Sequence, residues 1–136
     1  MEKQDYVPKA DFAEKMYQRI KSFGIRCIPV CDELFIKNSP SAKNIAYQLS
    51  RSSSSSVTNY RAARRARSNN DFFSKLSIVI EELDESIGWL EFSIDADYIS
   101  ESKLALLIDE GYQLLQILAK SRKTTGDLIK NQEKSK

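Results

Sequence analysis

The clearest hydrophobic pattern in the chain runs from residue 72 to residue 90, where Phe72, Leu76, Ile80, Leu83, Ile87 and Leu90 recur at spacings of three and four. That is the period of one face of an α-helix. Ser68, three positions before Asp71, fits a capping box: its hydroxyl takes an orphan amide, and the carboxylate favours the positive end of the helix dipole. A second apolar set, Phe73, Val79, Trp89 and Phe92, widens this face beyond what one bundle core needs and predicts a second partner for the helix.

The same spacing returns in Leu104, Leu107, Ile108, Leu114, Leu115 and Leu118, opening after Ser100 or Ser102 and fading into a basic C-terminal stretch. Towards the N-terminus, Phe12, Met16, Ile20, Phe23, Ile28, Val30 and Leu34 predict one helix, bent at Pro29, which removes a backbone donor. Between these lies an unusual segment with five consecutive serines, Ser52 to Ser56, a composition that also fits a linker. Ile45 and Leu49 before it and Val57 and Tyr60 after it carry a helical spacing through the run, and small side chains let a neighbouring helix approach closely. The breaks NSPS at 38–41, SNN at 68–70 and DADYISES at 95–102 separate four pieces, and no hairpin signal interrupts them. The expectation is one all-α domain over 1–136, an antiparallel up-down four-helix bundle with helices over about 11–37, 42–67, 70–95 and 101–130 and a frayed tail, 131–136.

Length and composition change little in this picture: 136 residues, 41% hydrophobic and 29% charged, suit a single ordinary domain. No apolar run approaches the roughly 18 residues of a membrane span, and the opening MEKQDYVPKADFAEK has no secretory character. The expected location is the cytoplasm, without membrane contact. There, Cys27 and Cys31 stay thiols, read as small buried apolar residues.

Charge adds more, because a net +2 hides strong segregation. Residues 43–75 carry seven bases against Asp71 alone, residues 76–102 carry eight acids and no base, and residues 120–136 carry six bases and two acids. The cluster Glu81, Glu82, Asp84 and Glu85 evokes carboxylate-bridged metal bundles, but the chain has no His to complete that motif. These acids read as a solvated or ion-paired face. Lack of His also deprives any Ser or Cys nucleophile of its usual base, and no glycine-rich phosphate loop exists. The expectation is no enzyme, no catalytic or metal site and no cofactor.

The basic segment contains Arg51, Arg61, Arg64, Arg65 and Arg67 with no acid from 51 through 70. On a helix, Arg61, Arg64, Arg65 and Ser68 share one stripe, which can track a phosphate backbone without reading sequence. The same arginines can instead pair with the acids of the third helix. Both readings stand on pattern alone.

The stretch QLSRSSSSSVTNYRAARRARSNNDFFSKLSIVIEELDESIGWLEF, with RIKSFGIR at 19–26 upstream, resembles the bacterial four helix bundle protein family, also known for proteins encoded in intervening sequences of 23S rRNA genes. Gln48-Leu49, Arg51-Ser52, Ser55, Asn59-Tyr60-Arg61, Asp71-Phe72, Lys75-Leu76 and Glu82 to Leu90 carry the likeness, which spans about Arg19 to Phe92. The resemblance implies a homopentameric ring and no established enzymatic activity. A distant relative, the accessory variability protein of diversity-generating retroelements, is a basic pentameric barrel that binds nucleic acid. By that analogy the partners are other copies of the chain, structured RNA or DNA, and a nucleic-acid enzyme. The arginines would contact nucleic acid, and Trp89 and Phe92 would sit at the subunit interface. Ala62 stands where the family usually has Glu after Asn-Tyr-Arg, which leaves the segment more basic. The rival reading is a purely structural interaction scaffold.

Overall fold

The structure, a computed structural model, describes residues 10–135 and has four helices among them: α1 (Ala10–Phe35), α2 (Pro40–Ala63), α3 (Asn69–Asp95) and α4 (Glu101–Lys134). Short connections turn each helix back along the one before, so α1 meets α2, α2 meets α3 and α3 meets α4, while α1 and α4 close the bundle with the smallest of its contacts between neighbouring helices. The breaks fall at the expected segments, and the cap predicted at Ser68 is present. Ser39 caps α2, accepting from the Ala42 amide, with Pro40 in the first turn where its missing N–H costs nothing. Its hydroxyl lies 2.8 Å from Tyr98 Oη, tying the α1–α2 loop to the α3–α4 loop. Ser68 caps α3 through the Asp71 amide at 3.0 Å. Asp97 takes a φ of 60°, a left-handed turn position that aspartate tolerates.

The serine run is helix throughout, and its small side chains form the seam of the bundle. Ser52, Ser53 and Ser56 are buried in line with Ala42, Ile45, Leu49, Tyr60 and Ala63. Ser52 Oγ lies 2.8 Å from Ser86 Oγ across to α3, and Ser86 also donates to the Glu82 carbonyl. On the other side Gly24 of α1 lies so close that a Cβ there would stand 2.9 Å from Val57 Cγ2 and 3.4 Å from the Ser53 carbonyl oxygen. Small residues therefore set the interhelical distances, and local hydroxyl-to-carbonyl bonds satisfy the buried oxygens.

Several positions depart from the sequence expectation. Along α3 the buried line is Phe72, Leu76, Val79, Leu83, Ser86, Ile87, Leu90 and Ser93, so Val79 belongs to the core and Ile80 is only half-buried. The reason is the alternation of three- and four-residue steps, which selects Val79 after Leu76. Phe12 and Ile28 of α1 are exposed. α1 continues through Pro29, which faces solvent, where water can take the carbonyl left without a partner. Gly111 of α4 was not legible as a point of close approach, yet a Cβ there would meet Ile87 at 2.8 Å and Phe23 at 3.1 Å. α2 stops at Ala63 rather than 67, and α4 runs to Lys134 rather than about 130. Residue 136 and the opening residues 1–9 lie outside the described residues.

Cys27 and Cys31 are free thiols one turn apart on the inner side of α1. Burial pushes Cys27 up to about 12 and Cys31 to about 11, so both are protonated and slow as nucleophiles at neutral pH. Among the described residues no helix is long and apolar enough to cross a membrane.

Candidate nucleic-acid interface

The antiparallel fold converts charge segregation along the sequence into segregation along the molecule. The N-terminus of α1, the C-terminus of α2, the N-terminus of α3 and the C-terminal part of α4 share one end. Arg61, Arg64, Arg65 and Arg67 gather there around the α2–α3 turn, and α4 adds Lys120, Arg122, Lys123, Lys130 and Lys134 against Asp127 and Glu133. At the opposite end lie Glu91, Asp95, Asp97, Glu101 and Asp109.

Each arginine has its own surroundings. Arg51 stands about 15 Å from Arg61 by helical rise and does not join the group. Its guanidinium reaches across to α3, bonding Glu82 Oε2 at 3.1 Å and Glu85 Oε2. Bonding to Glu85, with Glu82 beside it, raises the Arg51 pKa above its ordinary value. Arg64 turns towards α1: it donates to Glu14 Oε2 at 2.5 Å and lies over the Tyr17 ring at 4.5 Å from its centroid. Glu14 is held below the usual carboxylate range by bonds from Gln18 and then Arg64. Arg61, Arg65 and Arg67 are exposed, and among the described residues none of their guanidinium groups pairs with a carboxylate.

The expected stripe of Arg61, Arg64, Arg65 and Ser68 is therefore corrected. Ser68 must be extended, at φ −157° and ψ 166°, to cap α3, so the chain leaves helical geometry before it. Arg64 closes α2 as its C-cap, its N–H bonded to the Tyr60 carbonyl at 3.1 Å, and Ala66 is buried in the turn. Three exposed arginines flank this turn in place of a straight helical row. Asp71 braces it: Oδ2 accepts from the Arg67 amide and Oδ1 pairs with Lys75 at 2.5 Å. The Lys75 bond, then the Arg67 amide, lowers the Asp71 pKa. Nearby, Asn69 is buried with its Oδ1 lacking a partner among the described residues. That atom is an acceptor and does nothing for a phosphate.

The acids of α3 do not converge on a common point. Glu81 and Asp84 face solvent, whereas Glu82 and Glu85 serve Arg51. Trp89, half-buried, donates from Nε1 to Glu85 Oε2 at 3.2 Å. Its ring centroid lies 6.0 Å from that of Phe92, which is 52% exposed. With Pro40, Ser41, Asn44 and Ile45 the two aromatics line a shallow depression of about 400 Å³.

Two parts of this surface were missed from sequence. Glu14 as the partner of Arg64 is fifty residues away in the chain, and no periodicity links them. The basic stretch of α4 was visible as charge but was assigned only to a helix end; its placement beside the arginines needs the antiparallel return.

A solved structure similar to this one is that of a protein of unknown function from the S23 ribosomal protein family of Bacteroides thetaiotaomicron. It is 26% identical, with a TM-score of 0.72, and the match covers 79% of this chain and 98% of that one. No curated protein matches the chain. The family model described as 23S rRNA-intervening sequence protein matches residues 14–120, most of α1 through more than half of α4, and the chain belongs to that family.

Proposed function

We propose that this protein is a non-catalytic, cytoplasmic nucleic-acid-associated protein that engages the phosphate backbone of structured RNA or DNA through the basic end of its bundle, by itself or as an accessory to a nucleic-acid enzyme. One observation carries the reading: Arg61, Arg65 and Arg67 are exposed and unpaired among the described residues, at the end where α4 adds its own run of bases. Exposed like charges gathered on one surface create a positive potential that attracts an anion. Arg51 and Arg64, which serve contacts within the chain, are not part of the binding group in this reading.

The protein acts in this reading as a homo-oligomer, a pentameric ring, with Trp89 and Phe92 in the contact between subunits. Exposed apolar side chains support an assembly: besides Phe92 they include Ile25, Ile28, Ile36, Tyr47 and Leu106. A ring multiplies weak phosphate contacts through effective concentration.

The test is binding of a long structured RNA and a long DNA duplex at about 50 mM salt, repeated at about 200 mM. Binding that falls steeply over that range, as counterion release requires, supports the proposal. No binding to either probe at low salt overturns it. That result would favour the second reading, an interaction scaffold whose apolar faces are its functional surface. Light scattering at micromolar concentration checks the ring, and a monomeric mass overturns that part.

A further inference from the structure

Between α3 and the C-terminal part of α4 lies a groove of about 410 Å³, lined by Phe73, Ile80, Ala119, Arg122, Lys123, Gly126, Asp127 and Lys130. We propose that this groove binds an unpaired base of single-stranded nucleic acid, stacked on Phe73, with the flanking phosphates held by Arg122 and Lys130. The inference rests on the nucleic-acid reading above and adds to it a preference for single strands over duplex.

Three features converge on it. The first is the half-buried ring of Phe73, with the Arg122 guanidinium 4.9 Å from its centroid. An arginine over an aromatic ring occurs about once per 70–80 residues and names no ligand by itself. The second is Gly126, which leaves the edge of that ring uncovered: a Cβ there would lie 3.3 Å from Phe73 Cε2, so any side chain would push the ring or fill the groove. The third is charge. Lys123 is paired with Asp127 at 3.2 Å, but Arg122 and Lys130 pair with no carboxylate among the described residues.

An aromatic platform inside a positively charged groove is how single strands are held without sequence preference, because every base has a π-face. The volume lies in the range of small-molecule pockets, and the floor beyond the ring is apolar, made by Ile80 and Ala119. A base pair in a duplex offers no free face, so only an unstacked base enters. Arg122 is exposed, and its guanidinium can swing to the phosphate and yield the ring face to the base. Phe73 begins the second turn of α3, one helical turn beyond the cap that follows the arginine-rich turn. One strand can therefore run from Arg61, Arg65 and Arg67 into the groove.

The experiment is fluorescence anisotropy on the full chain at about 50 mM NaCl, with fluorescein-labelled 30-nucleotide oligouridylate, the matching oligodeoxythymidylate and a 30-base-pair RNA duplex as probes. The proposal expects both single strands to bind more tightly than the duplex. Phe73→Leu and Gly126→Val should each weaken single-strand binding about tenfold while leaving duplex binding unchanged, the size expected when one base is deprived of its stacking platform. Arg122→Gln with Lys130→Gln should instead flatten the salt dependence of single-strand binding by about 0.7 for each phosphate no longer neutralised. If Phe73→Leu loses helicity, this exposed double variant decides the matter. Single-strand affinities unchanged in all variants, with binding still sensitive to Arg61, Arg65 and Arg67, overturn the groove and leave the nucleic-acid reading standing. No binding of any probe by the parent overturns both.

Discussion

Arg51 and Arg61 sit on the same helix, ten residues apart, yet the molecule treats them as different kinds of residue. Arg51 lies in the middle of the bundle, where the serine seam draws α2 close to α3 and brings Glu82 and Glu85 within reach. Arg61 lies where α2 is about to end, beyond the acids of α3, with Arg65 and Arg67 beside it in the turn. The difference is one of register. In an antiparallel pair joined by a short turn, residue 51 faces the eighties of α3, which are acidic, whereas residue 61 faces the first turns of α3, whose one acid, Asp71, is occupied by Lys75. The middle of the molecule spends its charges on itself, and the end leaves them facing outward.

This contrast predicts that changes in the middle act on stability and changes at the end act on binding. The largest stability effect expected is for Ser54→Pro, which removes a helical N–H donor in mid-α2 and clashes with the preceding turn, at about 3 kcal/mol or more. Thermal denaturation reads it; a linker would tolerate the change, and an unchanged midpoint would refute the helical seam. Gly111→Val comes next. The close approach of Ile87 and Phe23 leaves no room for a side chain, and overpacking of this kind costs about 1–3 kcal/mol. Valine, being β-branched, gives back only about 0.4 kcal/mol of helix propensity over glycine, so the sign stays destabilising by denaturant titration.

A pH effect follows from the buried thiols. The folded-state pKa of Cys27 is raised to about 12 by burial, above its value in an unfolded chain. The unfolded state then ionises first, so stability is fully present below about pH 8.5 and declines as pH rises from there through the folded value. Cys27→Ala should reduce that alkaline decline, measured by denaturant midpoints from about pH 8 upward. In the native state Cys31, at 9% exposure and lining a groove between α1 and α2 beside Ile28 and Ser53, should react with a thiol reagent before Cys27, which is fully buried. The smallest stability effect is expected at the end. Arg61→Gln, Arg65→Gln and Arg67→Gln together should shift stability by less than about 0.5 kcal/mol, since exposed charges without partners contribute little.

The sequence made the helices legible because their breaks are chemically marked: a proline and serines interrupt the chain at 38–41, and Ser68 with Asp71 acts through a local hydrogen bond that spacing alone reveals. Among the described residues the structure contains the four helices expected of an all-α chain. The serine run was ambiguous because its meaning depends on what packs against it. Only Ser86 and Gly24, far away in the chain, turn a linker composition into a close-packed seam. Charge patterning correctly marked residues 61–67 as basic, but a helical projection carried past Ala63 put Arg64 in a stripe with Arg61 and Arg65, whereas in three dimensions it binds Glu14 and Tyr17. The groove at Phe73 was invisible for the same reason as Gly111. A glycine in a helix reads as a weak point until its neighbour is known.

The most direct test of the account is the slope of log affinity against log salt for a DNA duplex about 60 base pairs long, measured for the parent, for Arg51→Gln and for the combined Arg61→Gln, Arg65→Gln and Arg67→Gln variant. Every phosphate that the protein no longer neutralises should reduce the slope by about 0.9. The account predicts a reduction of about 2–3 for the triple variant, with helicity and assembly intact, and none for Arg51→Gln. Equal slopes in all three proteins, or a reduction at Arg51 alone, would contradict it.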